Sequence, residues 1–266
     1  MKLTFLGTGT SCGVPTIGCQ CEVCTSSDPH DKRLRCSALV ETETTRLLID
    51  CGPDFRQQML PMPFRRIDGV LITHAHYDHM GGMDDLRPYC QFGEINVYAD
   101  AIAKAGLLQM LPYCFAANRY PGVPAIGLHE IKPHEPFTIG DIEITPIQVM
   151  HGKLPILGYR LLQQTDQSLA KGNAMALAYI TDMKTIADSE IPYIEGAGTL
   201  VVNALRLEEP HHSHQLLSDA VAFAQRVGAR RTLFIHPSHH IGLHAKTNQT
   251  LPAGMALAYD GQVVEI

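Results

Sequence analysis

Thr73-His74-Ala75-His76-Tyr77-Asp78-His79 follows directly on the apolar run Gly69-Val70-Leu71-Ile72. The run reads as a buried strand, Gly69 to Thr73, since a short apolar stretch rich in branched residues suits a sheet covered on both faces. Four potential donors then stand within six residues, His74, His76, Asp78 and His79, projected from one rigid point beyond the sheet edge. Neutral imidazole and carboxylate are ligands that hard-to-borderline divalent cations accept. A metal centre is therefore expected in place of a merely His-rich surface loop, and its other donors should lie where further strands stop.

Three later runs meet that requirement. His151 follows Ile142 to Val149, Asp182 follows Ala174 to Thr181, and His236 closes Thr232 to His236. The other strand candidates are Lys2 to Leu6, Ser37 to Glu41, Arg46 to Ile49, Ile95 to Ala99, Leu157 to Leu162, Thr199 to Asn203, Met255 to Tyr259 and Gln262 to Glu265. Helical spacing marks Phe55 to Leu60, Ile102 to Met110 and Leu216 to Val227, whose Leu216, Leu217, Ala220, Val221, Ala224 and Val227 can share a face. The longest stretch without a clear pattern runs from about Gly106 to Ala125. Many short strands with few helices predict two packed sheets covered outside by helices, an α/β (α+β) fold. No low-complexity tract, linker or repeat divides the chain, so residues 1–266 read as one domain.

Composition narrows the function classes. With 266 residues, 45% hydrophobic and 18% charged, the chain can enclose a large core, which excludes disorder, collagen and coiled coil. Its 27 acidic against 21 basic side chains leave a formal charge of −6. That offers no broad positive field for a nucleic acid partner beyond cyclic or short nucleotides. There is no leader-like start and no uninterrupted apolar window long enough to span a bilayer, so a soluble cytoplasmic protein without a membrane partner is expected.

Eight cysteines complete the picture: Cys19, Cys21 and Cys24 cluster, while Cys12, Cys36, Cys51, Cys90 and Cys114 stand singly. Such a distribution suits metal binding better than a disulfide framework. Three thiols on a Gly- and Pro-rich loop fit a tetrahedral structural zinc, with His239 of His236-Pro237-Ser238-His239 able to supply the fourth ligand.

The His74 to His79 run, with His151, Asp182 and His236 following in order, resembles the metallo-β-lactamase-fold hydrolases. That resemblance implies a four-layer αββα sandwich with a dinuclear metal site at one sheet edge. His74, His76 and His151 would hold one ion, Asp78, His79 and His236 the second, and Asp182 would bridge. Asp50, after Leu47-Leu48-Ile49, matches the family's supporting acid beneath the His loop; a turn-forming Asp before Cys51-Gly52-Pro53 is the compatible plain reading. The Cys19 to Cys24 loop together with His236 to His239 is similar to the PhnP-like phosphodiesterase subfamily over nearly the whole chain. It implies a structural zinc on Cys19, Cys21, Cys24 and His239. The PqqB-type relatives with a Cys-rich loop have a degraded ligand run, whereas this run is intact.

Two divalent ions, zinc or manganese, make a shared water nucleophilic and neutralise charge on a phosphoryl or carbonyl oxygen. The expected enzyme is therefore a hydrolase, a phosphodiesterase for small or cyclic phosphodiesters that works through a metal-bridging hydroxide. The resemblance implies that Asp78 and a further histidine, placed between Asp182 and His236 just before a helix, carry the chemistry. Among His211, His212 and His214, distance to the helix Leu216 to Val227 favours His214 as donor to the departing oxygen. A thioesterase or lactonase uses the same nucleophile on carbon. A tRNase Z-like enzyme would need a basic arm, yet Gly106 to Ala125 carries only Arg119 as a basic residue. A non-catalytic zinc-binding protein is the remaining alternative, and a homodimer is a possible assembly. Arg56, Arg87 and Lys153 read as surface charges, and His30, His129, His134, His240 and His244 as histidines without a role at the centre.

Overall fold

The computed structural model describes residues 1–266 apart from the side chain of Leu169. In chain order the strands are β1 (Lys2–Gly7), β2 (Ser37–Glu41), β3 (Arg46–Ile49), β4 (Gly69–Leu71), β5 (Ile95–Ala99), β6 (Ile126–Glu130) and β7 (Phe137–Ile139). They continue with β8 (Ile142–His151), β9 (Leu154–Gln163), β10 (Leu177–Ile180), β11 (Thr199–Asn203), β12 (Arg231–Ile235), β13 (Met255–Leu257) and β14 (Val263–Glu265). Among the described residues they form two seven-stranded sheets, ordered β14-β1-β2-β3-β4-β5-β6 and β13-β12-β11-β10-β9-β8-β7.

Alternation along each strand decides the layering. Leu3, Phe5, Leu47, Ile49 and Leu71 of the first sheet pack against Ile142, Ile144, Leu157, Tyr159 and Tyr179 of the second. Their alternate neighbours Leu39, Leu48, Val70 and Val97 turn outward to Phe55, Met59, Ala103 and Leu107, which belong to the helices Phe55–Met59 and Ala101–Met110. On the other side Ile147, Val149, Ala178 and Val202 meet Ile191, Ile194, Leu217, Ala220 and Ala224. The helix Leu217–Val227 buries Leu217, Ala220, Ala224 and Val227 of the predicted face together with Phe223, leaves Val221 and the N-cap Leu216 half-buried, and stops at Gly228, whose φ of 67° is the left-handed conformation that glycine accepts without strain. The result is the four-layer αββα sandwich.

Several boundaries differ from the sequence reading. β4 stops at Leu71 because the Thr73 N–H turns to the Asp50 carboxylate at 2.8 Å. β8 and β9 are longer than expected, paired from Ile142↔Gln163 to His151↔Leu154 around Gly152-Lys153. β10 starts at Leu177, preceded by a 3-10 turn at Gly172–Met175. Gly106 to Ala125 is not wholly irregular: Ala101–Met110, capped by Asp100 accepting the Ala103 N–H at 2.7 Å, enters it, and Pro112–Phe115 adds a short helix. Among the described residues no helix is long and apolar enough to cross a membrane.

Candidate metal centre

Strand direction gathers the donors. β3 and β4 run parallel, as do β10, β11 and β12. β8 is antiparallel to β9, which is antiparallel to β10, so β8 points the same way as β10. The chain therefore leaves β3, β4, β8, β10 and β12 at matching ends, where Asp50, His74 to His79, His151, Asp182 and His236 follow. Three of these residues, Asp50, Asp182 and His236, have φ of 59°, 56° and 61°, values uncommon outside glycine that mark a constrained turn.

The donors fall into three overlapping groups: His74, His76 and His151; Asp78, His79, Asp182 and His236; and His151, Asp182 and His214, with the ligand atoms of each within 4.8 Å of one another. Asp182 lies between the first two, its Oδ2 3.3 Å from His236 Nε2 and 3.8 Å from His74 Nε2, its Oδ1 3.4 Å from His79 Nε2. Asp78 Oδ2 is 3.2 Å from His79 Nε2 and 3.7 Å from His236 Nε2.

Asp50 aims two of these imidazoles. Wholly buried, its carboxylate accepts the Thr73 N–H and O–H, both at 2.8 Å, and stands 2.6 Å from His79 Nδ1. With the Nδ1–H given to Asp50, His79 turns Nε2 to the centre. Thr73 Oγ1, its proton committed to Asp50, can accept from His74 Nδ1–H at 3.0 Å, which turns the lone pair of His74 Nε2 inward, 3.0 Å from His76 Nδ1. His151 Nδ1–H is directed to the carbonyls of Asp182 (2.7 Å) and Ser213 (3.0 Å), so its Nε2 is free as well. Such outer hydrogen bonds set the tautomer a ligating histidine needs.

Electrostatics follow from this crowding. Burial, reinforced by charge on His79, holds the His74 imidazole well below its ordinary pKa, hence neutral. Burial alone would raise Asp182, but His236, His79 and a hydrogen bond from His214 hold it well below the carboxylate range. His79 is the converse case: burial opposes its charge, yet Asp182, Asp50 and Asp78 together push its proton affinity well above the usual. A cation arriving at His79 must displace that proton, so proton and metal compete. The apparent zinc affinity of this centre is expected to weaken as pH falls, measured by chelator competition; an affinity independent of pH would contradict the competition.

The donor set fits divalent cations. His79 Nε2 and both ring nitrogens of His236 are buried and make no hydrogen bond among the described residues. A buried polar atom left unpaired costs about 1–3 kcal/mol, and a cation satisfies such lone pairs. His74, His76 and His151 could hold one ion, and Asp78, His79 and His236 another with Asp182 shared. Of the three later histidines, His214 is the one brought inward, its Nε2 3.2 Å from Asp182 Oδ2; His211 is half-buried beside it and His212 is exposed. Beyond them opens a cavity of about 550 Å³ lined by His76, His151, Gly152, Lys153, Leu154, His212 and Ser213. Lys153 thus borders the centre, whereas Arg56 and Arg87 line a separate groove beside Phe55 and Tyr89, with Arg87 paired to Asp84 at 2.7 Å. Two contributing residues escaped the sequence reading, Thr73 and Ser213. Each is a hydroxyl residue immediately before a candidate histidine, a signal that could have found them.

The thiol loop forms a second donor group. Cys19, Cys21, Cys24 and His239 offer ligand atoms within 4.8 Å of one another, with His239 Nδ1 3.3 Å from Cys21 Sγ and 3.6 Å from Cys19 Sγ. The Cys24 N–H on its sulfur, aided by His239, brings Cys21 down to about 6, while burial pushes Cys24 up to about 11. The segment joining the two groups is pinned by His236 N–H to Thr8 O (2.7 Å) and Ser238 N–H to Leu205 O (2.9 Å). All eight cysteines are free.

The sequence pattern of the beta-lactamase superfamily domain matches residues 45–237. The chain belongs to that superfamily and has the metallo-β-lactamase fold. Among solved structures it is similar to a diphosphatase from the PhnP family, at 37% identity and a TM-score of 0.88 over 100% of this chain and 96% of that one. It is 42% identical over 262 residues to a protein of Porphyromonas gingivalis (strain ATCC BAA-308 / W83) called octanoyltransferase, covering 98% of this chain and 51% of that protein. Ribonuclease Z of Acaryochloris marina (strain MBIC 11017) is 28% identical over 181 residues, 65% of this chain and 53% of that protein. The chain spans about half the length of these curated relatives.

Proposed function

We propose that the chain is a PhnP-like phosphodiesterase for small or cyclic phosphodiesters, a single domain that acts in the cytoplasm, with a homodimer as its possible assembly. The observation that carries this is the placement of His214 Nε2 3.2 Å from Asp182 Oδ2, beside two clusters of donors and a cavity of about 550 Å³. That cavity suits a small substrate, and the similarity to a PhnP-family diphosphatase supports cleavage at phosphorus. Two divalent ions, zinc or manganese, would supply a nucleophile near neutral pH and neutralise phosphoryl charge. The chain's own contribution is orientation: Asp50 and Thr73 aim His79 and His74, two carbonyls aim His151, and Asp78 and Asp182 bring the negative charge that holds cations. His214 stands where a donor can meet the departing oxygen. A structural zinc on Cys19, Cys21, Cys24 and His239 would tie the thiol loop to the His236 turn.

One comparison favours a second reading. The relative called octanoyltransferase handles an acyl group by name, and a thioesterase or lactonase reaction would use the same donors on carbonyl carbon. A tRNase Z-like activity has the ribonuclease Z relatives in its favour, but the segment from Gly106 to Ala125 holds Arg119 as its one basic residue, a poor grip for RNA. Protein loaded with zinc or manganese is expected to release p-nitrophenolate from bis(p-nitrophenyl) phosphate, to lose this activity to a chelator and to regain it on metal return. Turnover of an octanoyl thioester without turnover of the diester would replace the phosphodiesterase reading by the second one.

A further inference from the structure

We propose that Ser213 is a positioning residue whose hydroxyl fixes His214 in the tautomer with a hydrogen on Nε2, facing the centre; the functional consequence rests on the hydrolase reading above. His214 is buried, and its Nε2 lies 3.2 Å from Asp182 Oδ2. An ionised carboxylate only accepts, so Nε2 must carry hydrogen, and Nδ1 of the neutral ring must then accept. Two groups lie within reach of that Nδ1: His211 Nδ1 at 3.1 Å and Ser213 Oγ at 3.2 Å. His211 Nδ1 already accepts the Ser213 N–H at 3.3 Å and, as an acceptor, has nothing to give. The Ser213 hydroxyl, itself buried, is the donor that remains; it also lies 3.2 Å from His211 Nδ1, but the one lone pair of that nitrogen is already taken by the Ser213 N–H.

Ser213 therefore orients two imidazoles with two different groups. Its carbonyl accepts from His151 Nδ1–H at 3.0 Å, and its hydroxyl serves His214. Only the second is lost when the side chain is shortened, so Ser213→Ala separates them. With Nε2–H held inward, His214 offers a hydrogen bond to the oxygen on which charge collects as the P–O bond lengthens. That help matters most when the departing group is an alkoxide and least when it is p-nitrophenolate, which disperses its own charge.

The test uses zinc-loaded full-length protein with bis(p-nitrophenyl) phosphate and adenosine 2′,3′-cyclic phosphate as the two probes. Ser213→Ala is expected to lower kcat on the cyclic nucleotide roughly tenfold further than on the p-nitrophenyl diester, the scale of one hydrogen bond to a charged group. Its zinc content should match that of the unmodified protein, and Ser213→Thr, which keeps the hydroxyl, should recover the loss. Nitrogen-15 spectra of the imidazoles should show His214 protonated at Nε2 and bare at Nδ1, and a tautomer mixture in Ser213→Ala. Equal losses on both substrates, or a proton on Nδ1 in the unmodified protein, would overturn the assignment. If neither probe is turned over, the hydrolase reading falls, while the nitrogen spectra still decide the tautomer.

Discussion

Asp182→Ala is expected to lower kcat/KM on bis(p-nitrophenyl) phosphate by on the order of 10³-fold or more, since a shared ligand and the placement of both ions go together. The magnitude follows from position. Asp182 is the carboxylate whose oxygens approach His79, His236 and His214 within 3.4 Å and His74 within 3.8 Å. Without it, four imidazoles face one another with Asp78 as the remaining carboxylate among them, and cation binding should collapse at both positions. The thiol group should be untouched, because its four donors lie on the Cys19 to Cys24 loop and at His239. Metal analysis of the purified variant should thus retain about one zinc per chain, the number one closed tetrahedral site holds. Loss of every metal together would contradict two independent sites, and full retention would remove Asp182 from the ligand set.

Asp50→Ala should be the more damaging change to stability. It deletes a fully buried carboxylate that serves Thr73 N–H, Thr73 O–H and His79 Nδ1 at once. Breaking such a buried charged pair costs about 3–5 kcal/mol, which for a chain of this size lowers the melting temperature by on the order of 10 °C. Asp50→Asn keeps the volume and can still accept from Thr73, but one of its two oxygens has become a donor. The milder variant should fold and bind active-centre metal about 10–100-fold more weakly, as observed when outer partners of ligating histidines are removed. Thermal unfolding and metal titration of both variants read the two effects separately. An Asp50→Ala protein as stable as the parent would show that Asp50 is only a turn residue.

How much of this was legible in the sequence depended on locality. The His74 to His79 run announces itself because its donors are adjacent, and each later donor sits just beyond a hydrophobic run. β2, β3, β5 and β11 were readable to the residue, since most of their limits coincide with a polar residue or glycine. β6 and β7 were not, because both are edge strands: His129 and Glu130 are exposed, and Phe137–Ile139 is only three residues long. There, pairing to a neighbour supplies what hydrophobic alternation does not. Among His211, His212 and His214, distance to the following helix already favoured His214, and the structure adds that its ring is the one that reaches Asp182. Thr73 and Ser213 stand beside candidate histidines, but their links to Asp50 and to His151, remote in sequence, show only in the fold.

The left-handed backbone at Asp50, Asp182 and His236 also bears on how mutational scans of this protein should be designed. Asparagine and aspartate tolerate that conformation several-fold better than most residues, and alanine there carries a penalty of about 1–2 kcal/mol. An alanine scan across these positions thus confounds a missing donor with a twisted main chain. Glycine, which is at ease in the same torsion, removes the donor without that second injury, so alanine–glycine pairs at each site would apportion the two losses.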